Sequence, residues 1–581
     1  MESPFASWMD RYNLEFPRQL KPDDDSEEVT LIKATGDKHE HKFLEKLKKD
    51  GRKIFEIDRR SKNPEADTLA AMEAGHEVIF QACLSLEPFR GYADFLVRVE
   101  SANPTPQYEI WDTKLARKTK PYYLVQLCCY AEMLEQIQGT RPSTVRIVLG
   151  NNEIPAFKTE DFIYYYRQLK KAFLDEMKGF DAKNPPVPDA RADHSRWQSY
   201  ADRKLREMDH LSRVARITTG QIKRLNEAGI TTVAQLARAK HTKKLRLSLP
   251  VIERLIEQAQ LQVATEELRA EARPDEIIAP LFRVIPIDPA QPRQGLSLLP
   301  PHSPGDLFFD MEGFPLVDGG LEYLFGVSHR GESGLEFADW WAHDAREEKT
   351  AFEGFIDWAY AKWTRDPTLH IYHYAQYEVS ALRRLMGRHG TREDRFDAML
   401  RQGVFIDLYK VTQQGLRIGE SSYSIKAVEH LYRGKRAGDV KDAGQSIVYY
   451  ANWIESGEPR EWKRSPILQK IRDYNRDDCD STLQLCAWLR EEQRKAGIAF
   501  IPNPTDTPPA ESNPDQEAHA RERTSLIAGL RKKFQTEKDS DRKKIHEMLL
   551  NLVEFHRRES KPVWWRMFDR AEQDSAALEE D

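Results

Sequence analysis

Proline placement most constrains how this chain can fold. Between Pro274 and Pro304 lie Pro280, Pro286, Pro289, Pro292, Pro300 and Pro301, and no continuous helix or central strand can cross such a stretch, because each proline removes an amide donor and fixes φ. A shorter block, Asn184-Pro185-Pro186-Val187-Pro188, breaks the chain earlier, and a Pro/Asn/Asp/Ser-rich stretch over 501–515 reads as an exposed linker. The 581 residues therefore divide into four pieces, as expected at about 150 residues per domain. They are an N-terminal domain (1–185), a small helical module (195–272), a third domain (300–495) and a helical tail (515–581).

Composition excludes several classes. With 40% hydrophobic residues, 12 Trp, 21 Tyr and 25 Phe, the chain can fill several cores and is not disordered as a whole. Five cysteines with no C-x-x-C pair argue against a disulfide framework, a zinc ribbon or a four-cysteine iron–sulfur cluster, and fit a reducing compartment. The opening residues lack the basic-then-apolar order of a signal peptide, and no apolar run approaches the roughly 20 residues of a membrane helix. The expectation is a cytoplasmic protein without membrane contact. A net charge of −6 speaks against a passive polyanion coat. Yet Arg203–Arg246 holds twelve basic against three acidic residues, a local charge of +9, which suits nucleic acid held at one place and acidic-site chemistry elsewhere.

In the first piece, two strand-like runs, 91–99 and 107–115, flank a turn. Strand periodicity puts Tyr108, Ile110, Asp112 and Lys114 on one face, and the neighbouring strand can bring Asp94 to the same point. Two carboxylates can hold Mg²⁺, a hard cation that prefers oxygen ligands. The lysine can orient water or neutralise developing charge. Gln126 and Tyr130, at i and i+4, share a helix face and could contact the substrate backbone. Upstream, 36–40 begins a helix (HEHKFLEKL) that offers a histidine. A lone D-x-K is usually a solvated ion pair; here it stands between a G-x-x-D strand and a Q-x-x-x-Y helix. That order resembles the RecB-like branch of the PD-(D/E)xK nucleases, over roughly residues 30–150. The resemblance implies a restriction-endonuclease-like α/β fold and a phosphodiester-hydrolysing site. It gives His39, Asp94 and Asp112 as metal ligands for Mg²⁺ or Mn²⁺, Lys114 as catalytic lysine, and Gln126 and Tyr130 as supporting residues. His41 competes with His39, and Glu40 or Glu77 could contribute. Some relatives carry an iron–sulfur cluster, whose cysteines are absent here.

The basic stretch reads as helix, tight turn, helix. Ile217, Ile222 and Leu225 form one apolar stripe, Gly229 ends the helix, Thr231 or Thr232 caps the next, and Val233, Leu236 and Ala237 face back. It resembles an all-α helix-hairpin-helix, followed by a helix over 249–261. The motif implies sequence-independent grip on phosphates, with Lys223, Arg224, Arg238, Lys240, Lys243 and Lys244 as candidates. The rival reading is a protein-binding or spacer hairpin with a solvated basic face.

In the third piece, Leu307–Gly313 is an apolar strand ending in D-x-E, with Asp310 and Glu312 on one face. His370–Glu378 reads as strand and turn before an apolar helix, Phe405–Tyr409 as another strand end, and Tyr474 and Asp478 stand one turn apart where the helix STLQLCAWLR opens. Four acidic groups converging on one point repel one another unless divalent cations screen them, as in a two-metal site; Tyr474 could orient the water. The ordered series resembles the tyrosine-containing branch of the RNase H-like DEDD exonucleases, over about 305–492. It implies Asp310, Glu312, Glu378 and Asp478 as metal ligands and Tyr474 as a catalytic group in a 3′–5′ exonuclease. Glu378 departs from the family's Asp, and Asp477 and Asp480 are near alternatives for the last ligand.

The tail carries a Trp564–Trp565 pair that needs a packing partner. The domain order resembles RecB-like proteins in which a superfamily 1 helicase continues the same chain. No G-x-x-x-x-G-K-[ST] occurs, so this chain has no ATP site, and a helicase would act in trans, or in cis if the chain is a fragment. The sequence thus predicts a multidomain α/β, metal-dependent nuclease with DNA as partner and RNA left open, serving repair, recombination or defence. The alternative is a non-catalytic nucleic-acid-binding scaffold for a helicase.

Overall fold

The computed structural model describes all residues except 1–2, 102–104, 241–245, 274–275, 318, 435–442, 503–513, 554 and 572–581. Lys243 and Lys244, most of the 501–515 linker and the last ten residues thus lie outside the described residues. No helix among the described residues is long and apolar enough to cross a membrane.

A six-stranded mixed sheet organises the N-terminal part. Its strands run in spatial order β1 (Ile54–Glu56), β2 (Val78–Leu86), β3 (Phe89–Val99), β4 (Gln107–Lys114), β5 (Thr144–Leu149) and β6 (Ala156–Lys158). β2–β3–β4 form an antiparallel meander, and β5 lies parallel to β4 with Asp112 opposite Ile147. Tyr108 and Ile110 of β4 join the core beneath the helix Pro121–Gln138, together with Leu127, Tyr130 and Ala131 of that helix. The other sheet face meets the helix Glu27–Lys49 through Phe43, Leu44 and Leu47. This second helix starts nine residues before the Gly36 start that the sequence suggests. Ser26 caps it, accepting from the Val29 amide at 3.2 Å, and Glu27 and Glu28 complement the positive end of the dipole.

The first helix, Pro4–Glu15, does not pack on this sheet. Phe5, Trp8 and Met9 cluster with Trp197 and Ala201, across the proline block, and Asp10 accepts from the Trp197 indole at 2.7 Å. The basic module follows as the helices Thr219–Glu227 and Val233–Ala237, with Gly229 at φ +85° between them. Thr218 and Thr232 are their caps. Leu225, Val233 and Leu236 close on Ile252 and Leu255 of the helix Leu249–Glu271. That long helix bonds the module to the next domain: the Gln258 side chain donates to the Ile418 carbonyl at 2.7 Å.

Within the proline-rich stretch, β7 (Phe282–Val284) finds an antiparallel partner far downstream, β13 (Leu416–Ile418). The third domain is built on β8 (Leu307–Phe314), β9 (Leu321–Gly331), β10 (Gly334–Trp341), β11 (Ile371–His373) and β12 (Phe405–Asp407), in spatial order 10-9-8-11-12. β8, β9 and β10 are antiparallel, while β11 runs parallel to both β8 and β12. β8 is therefore central, buried by helices on both faces, and reads as a near-continuous apolar run for that reason.

The helix Phe555–Ala571 docks on the third domain. Trp565 packs against its core and lies 5.3 Å from the Arg383 guanidinium, and Lys561 pairs with Glu393 at 2.7 Å. Trp565 thus has a packing partner in the third domain, and Trp564 is 53% exposed.

Candidate metal centres

In the third domain the sheet and one long helix make the site together. Asp310 and Glu312 alternate on β8 with the apolar Phe309 and Met311, so both carboxylates leave the strand on one side. The helix Pro466–Lys495 crosses β8 and β9 and brings Tyr474, Asn475 and Asp478. It begins well before the residues at which the sequence suggests an opening. Ser465 caps it and Pro466 occupies its first turn, the usual helix-start pair. Tyr474 and Asp478 therefore sit in mid-helix, where neither can drift. One ligand atom each from Asp310, Glu312 and Asp478 lies within 4.8 Å of the others, the one such group of three among the described residues.

The electrostatics follow from that crowding. Burial, then repulsion from Asp478, Glu312 and Glu378, pushes the Asp310 carboxyl well above the carboxylate range. Glu312, 4% exposed, is pushed up to about 8, chiefly by burial. Its Oε2 accepts from Ser446 Oγ at 2.6 Å, and Asp310 Oδ2 accepts from Asn475 Nδ2 at 2.6 Å. Burial, then the nearby carboxylates of Asp478, Glu312 and Asp310, keeps Tyr474 a phenol. Three crowded carboxylates that repel one another, Glu312 buried and Asp310 and Asp478 partly so, fit a divalent metal ion.

The near alternatives for the last ligand are engaged elsewhere. Asp477 pairs with Arg433 at 2.6 Å, and Asp480 accepts from Ser328 at 2.6 Å. Glu378 opens the helix Tyr377–His389 and is buried near enough to Asp310 to repel it. It stands outside the group of three, with Oε2 3.5 Å from His373 Nδ1. The Tyr377 hydroxyl donates to Glu322 Oε2 at 3.0 Å, pinning this helix start against β9.

Sequence patterns missed Ser446 and Asn475. Asn475 lies in a depression that only glycine at position 326, paired with Asp310 in the sheet, can leave: a Cβ there would stand 1.7 Å from Asn475 Oδ1. The available signal was Asn475 itself, a polar residue on the buried stripe with Ile471 and Cys479.

In the N-terminal domain the D-x-K pair is a real contact, Lys114 Nζ to Asp112 Oδ2 at 2.5 Å, with Asp112 buried. Asp94 reaches across from β3, its Oδ2 accepting from the Thr113 amide at 2.8 Å and the Thr113 hydroxyl at 2.7 Å. Burial, then the Asp94 charge, pushes Asp112 up to about 7 despite the lysine. Burial and Asp94 likewise push Glu40 up to about 7, so Glu40 of the Glu27–Lys49 helix lies near enough to the two aspartates for their charges to interact. His39 points instead to β5, its Nε2 3.3 Å from the Val148 carbonyl. His41 sits 2.8 Å from the Asp37 carbonyl, and Glu77 accepts from the Lys53 amide at 3.2 Å. Gln126 donates to the Tyr130 hydroxyl at 3.3 Å. The Tyr130 ring occupies the space a side chain at Gly91 would need, which explains the glycine of G-x-x-D.

In the basic module Lys223, Arg224, Arg238 and Lys240 are all exposed. They belong to a surface with the charge needed for phosphate contact.

The strand order 10-9-8-11-12, with acidic residues on the central strand and a crossing helix, defines an RNase H-like domain. Residues 307–490 match a family model of the RNase H superfamily, and this part of the chain is a domain of that superfamily. No curated protein and no solved structure matches the chain.

Proposed function

We propose that the protein is a divalent-metal-dependent nuclease with two hydrolytic centres and a basic helix-hairpin-helix module between them in sequence. The observation that carries the reading is the convergence of Asp310, Glu312 and Asp478 in an RNase H superfamily domain. Such a cluster is costly to the fold unless it serves a cation. A bound Mg²⁺ or Mn²⁺ lowers the pKa of water and takes up charge on phosphate oxygens. Asp310, Glu312 and Asp478 would hold it, with Glu378 close by. Tyr474, held as a phenol, can orient an attacking water for in-line displacement at a phosphodiester, in the manner of a 3′–5′ exonuclease. In the N-terminal domain Asp94, Asp112 and Glu40 offer oxygen ligands, and Lys114 can neutralise charge developing at the phosphate. The G-x-x-D, D-x-K and Q-x-x-x-Y order supports a RecB-like PD-(D/E)xK centre there. Lys223, Arg224, Arg238 and Lys240 would hold the nucleic-acid backbone without reading sequence.

The test is incubation with end-labelled and end-blocked DNA and RNA, single- and double-stranded, in Mg²⁺, Mn²⁺ or EDTA. Metal-dependent products are expected, and blocked ends separate an exonuclease from an endonuclease. Absence of product on every substrate favours the second reading, a nucleic-acid-binding scaffold for a helicase partner. That reading draws support from Glu378, which lies beside His373 rather than in the group of three.

A further inference from the structure

Two carboxylates of the RNase H-like triad receive a hydrogen bond from a neutral side chain: Glu312 from Ser446 and Asp310 from Asn475. The N-terminal centre differs, because there a lysine compensates Asp112. A neutral donor leaves the negative charge of Glu312 and Asp310 available to a cation, but it occupies an oxygen lone pair. Resting on the metal-centre reading above, we infer that Ser446 and Asn475 are positioning residues that set cation selectivity, restricting Glu312 and Asp310 to one-oxygen ligation.

The chemistry follows from the ions. Ca²⁺ takes six to eight oxygens and readily accepts both oxygens of a carboxylate; Mg²⁺ and Mn²⁺ favour six oxygens in octahedral array. A site whose carboxylates each present one oxygen favours the smaller ions. The donors are themselves fixed. Ser446 is 1% and Asn475 0% exposed. The Tyr323 hydroxyl donates to Ser446 Oγ at 3.3 Å, and the Tyr323 ring is stacked on Tyr450 with centroids 3.9 Å apart. Asn475 is lodged against Gly326. Neither donor can swing aside to release the second oxygen without repacking the core.

The experiment is calorimetric titration of the full chain with Mn²⁺ and, separately, Ca²⁺, for wild type, Ser446→Ala and Asn475→Leu. Asp310→Asn identifies which binding event belongs to this centre. Releasing an oxygen should raise Ca²⁺ affinity relative to Mn²⁺, with the ratio moving by about tenfold in Ser446→Ala. Asn475→Leu should shift it the same way; if that variant fails to fold, Ser446→Ala, which loses only a hydroxyl, decides alone. A merely structural role would weaken both ions equally, and an unchanged ratio with Mn²⁺ binding intact overturns the selectivity inference only. Absence of any wild-type Mn²⁺ binding that Asp310→Asn abolishes overturns the metal centre itself.

Discussion

Replacing Glu312 with Gln should stabilise the metal-free protein, and only at neutral to alkaline pH. The side chain is buried and its carboxyl titrates at about 8 against an ordinary 4.5. The folded state therefore holds a proton that the unfolded state has released between those two values. A raised carboxyl contributes fully below pH 4.5, and the contribution is lost as pH climbs toward 8. At about 1.4 kcal/mol per pH unit, that loss reaches roughly 4 kcal/mol at pH 8 and roughly 3 kcal/mol at pH 7. Glutamine keeps an acceptor for Ser446 and does not ionise, but it brings its own buried amide, so about half the figure, roughly 2 kcal/mol at pH 8, is a reasonable net gain. For a unit of this size that is roughly 4–8 °C in Tm. The assay is thermal melting in EDTA at pH 4.5 and pH 8, wild type against variant. Because the cost of the amide does not depend on pH, the variant should melt a few degrees below wild type at pH 4.5 and several degrees above it at pH 8. A variant that melts lower at pH 8, or by the same margin at both, refutes the argument that the triad is electrostatically strained.

Other outcomes follow from the same geometry. Mn²⁺ should raise the wild-type Tm by preferential binding to the folded state, with Asp310→Asn losing much of the gain in the same melts. Gly326→Ala forces a methyl into the Asn475 amide and should cost about 1–3 kcal/mol, read by denaturant melts; a neutral result would mean that the depression is not tight. Asp112→Ala or Lys114→Ala should remove cleavage attributable to the N-terminal centre while the far-ultraviolet circular dichroism stays the same, and wild-type rates in both would remove that centre from the mechanism. Lys223→Glu with Arg224→Glu should weaken binding to all DNA sequences alike and flatten its salt dependence; a sequence-selective loss would point to a different surface.

Much of the third domain was legible in the sequence because its chemistry is local. D-x-E on an apolar strand fixes two carboxylates on one face, and a Y-x-x-x-D spacing fixes two groups one helical turn apart, whatever the rest of the chain does. The same holds for D-x-K on β4, for the threonine caps of the basic module, and for prolines that forbid continuous structure between domains. Two helix starts were misplaced, at Gly36 and near Asp478, because tertiary packing carries a helix through residues that local signals treat as boundaries. Tertiary structure alone decided the rest. It chose Asp478 over Asp477 and Asp480, since only contact with β8, Arg433 and Ser328 distinguishes three neighbouring acids. It brought Glu40 near Asp94 and His39 to β5, because helix rotation is set by Phe43, Leu44 and Leu47 packing on the sheet. It also recruited Ser446, 134 residues from Glu312 in sequence, and lodged Asn475 against Gly326. A hydrogen bond across that separation leaves no periodic trace in the chain; it exists only once the core has closed around both partners.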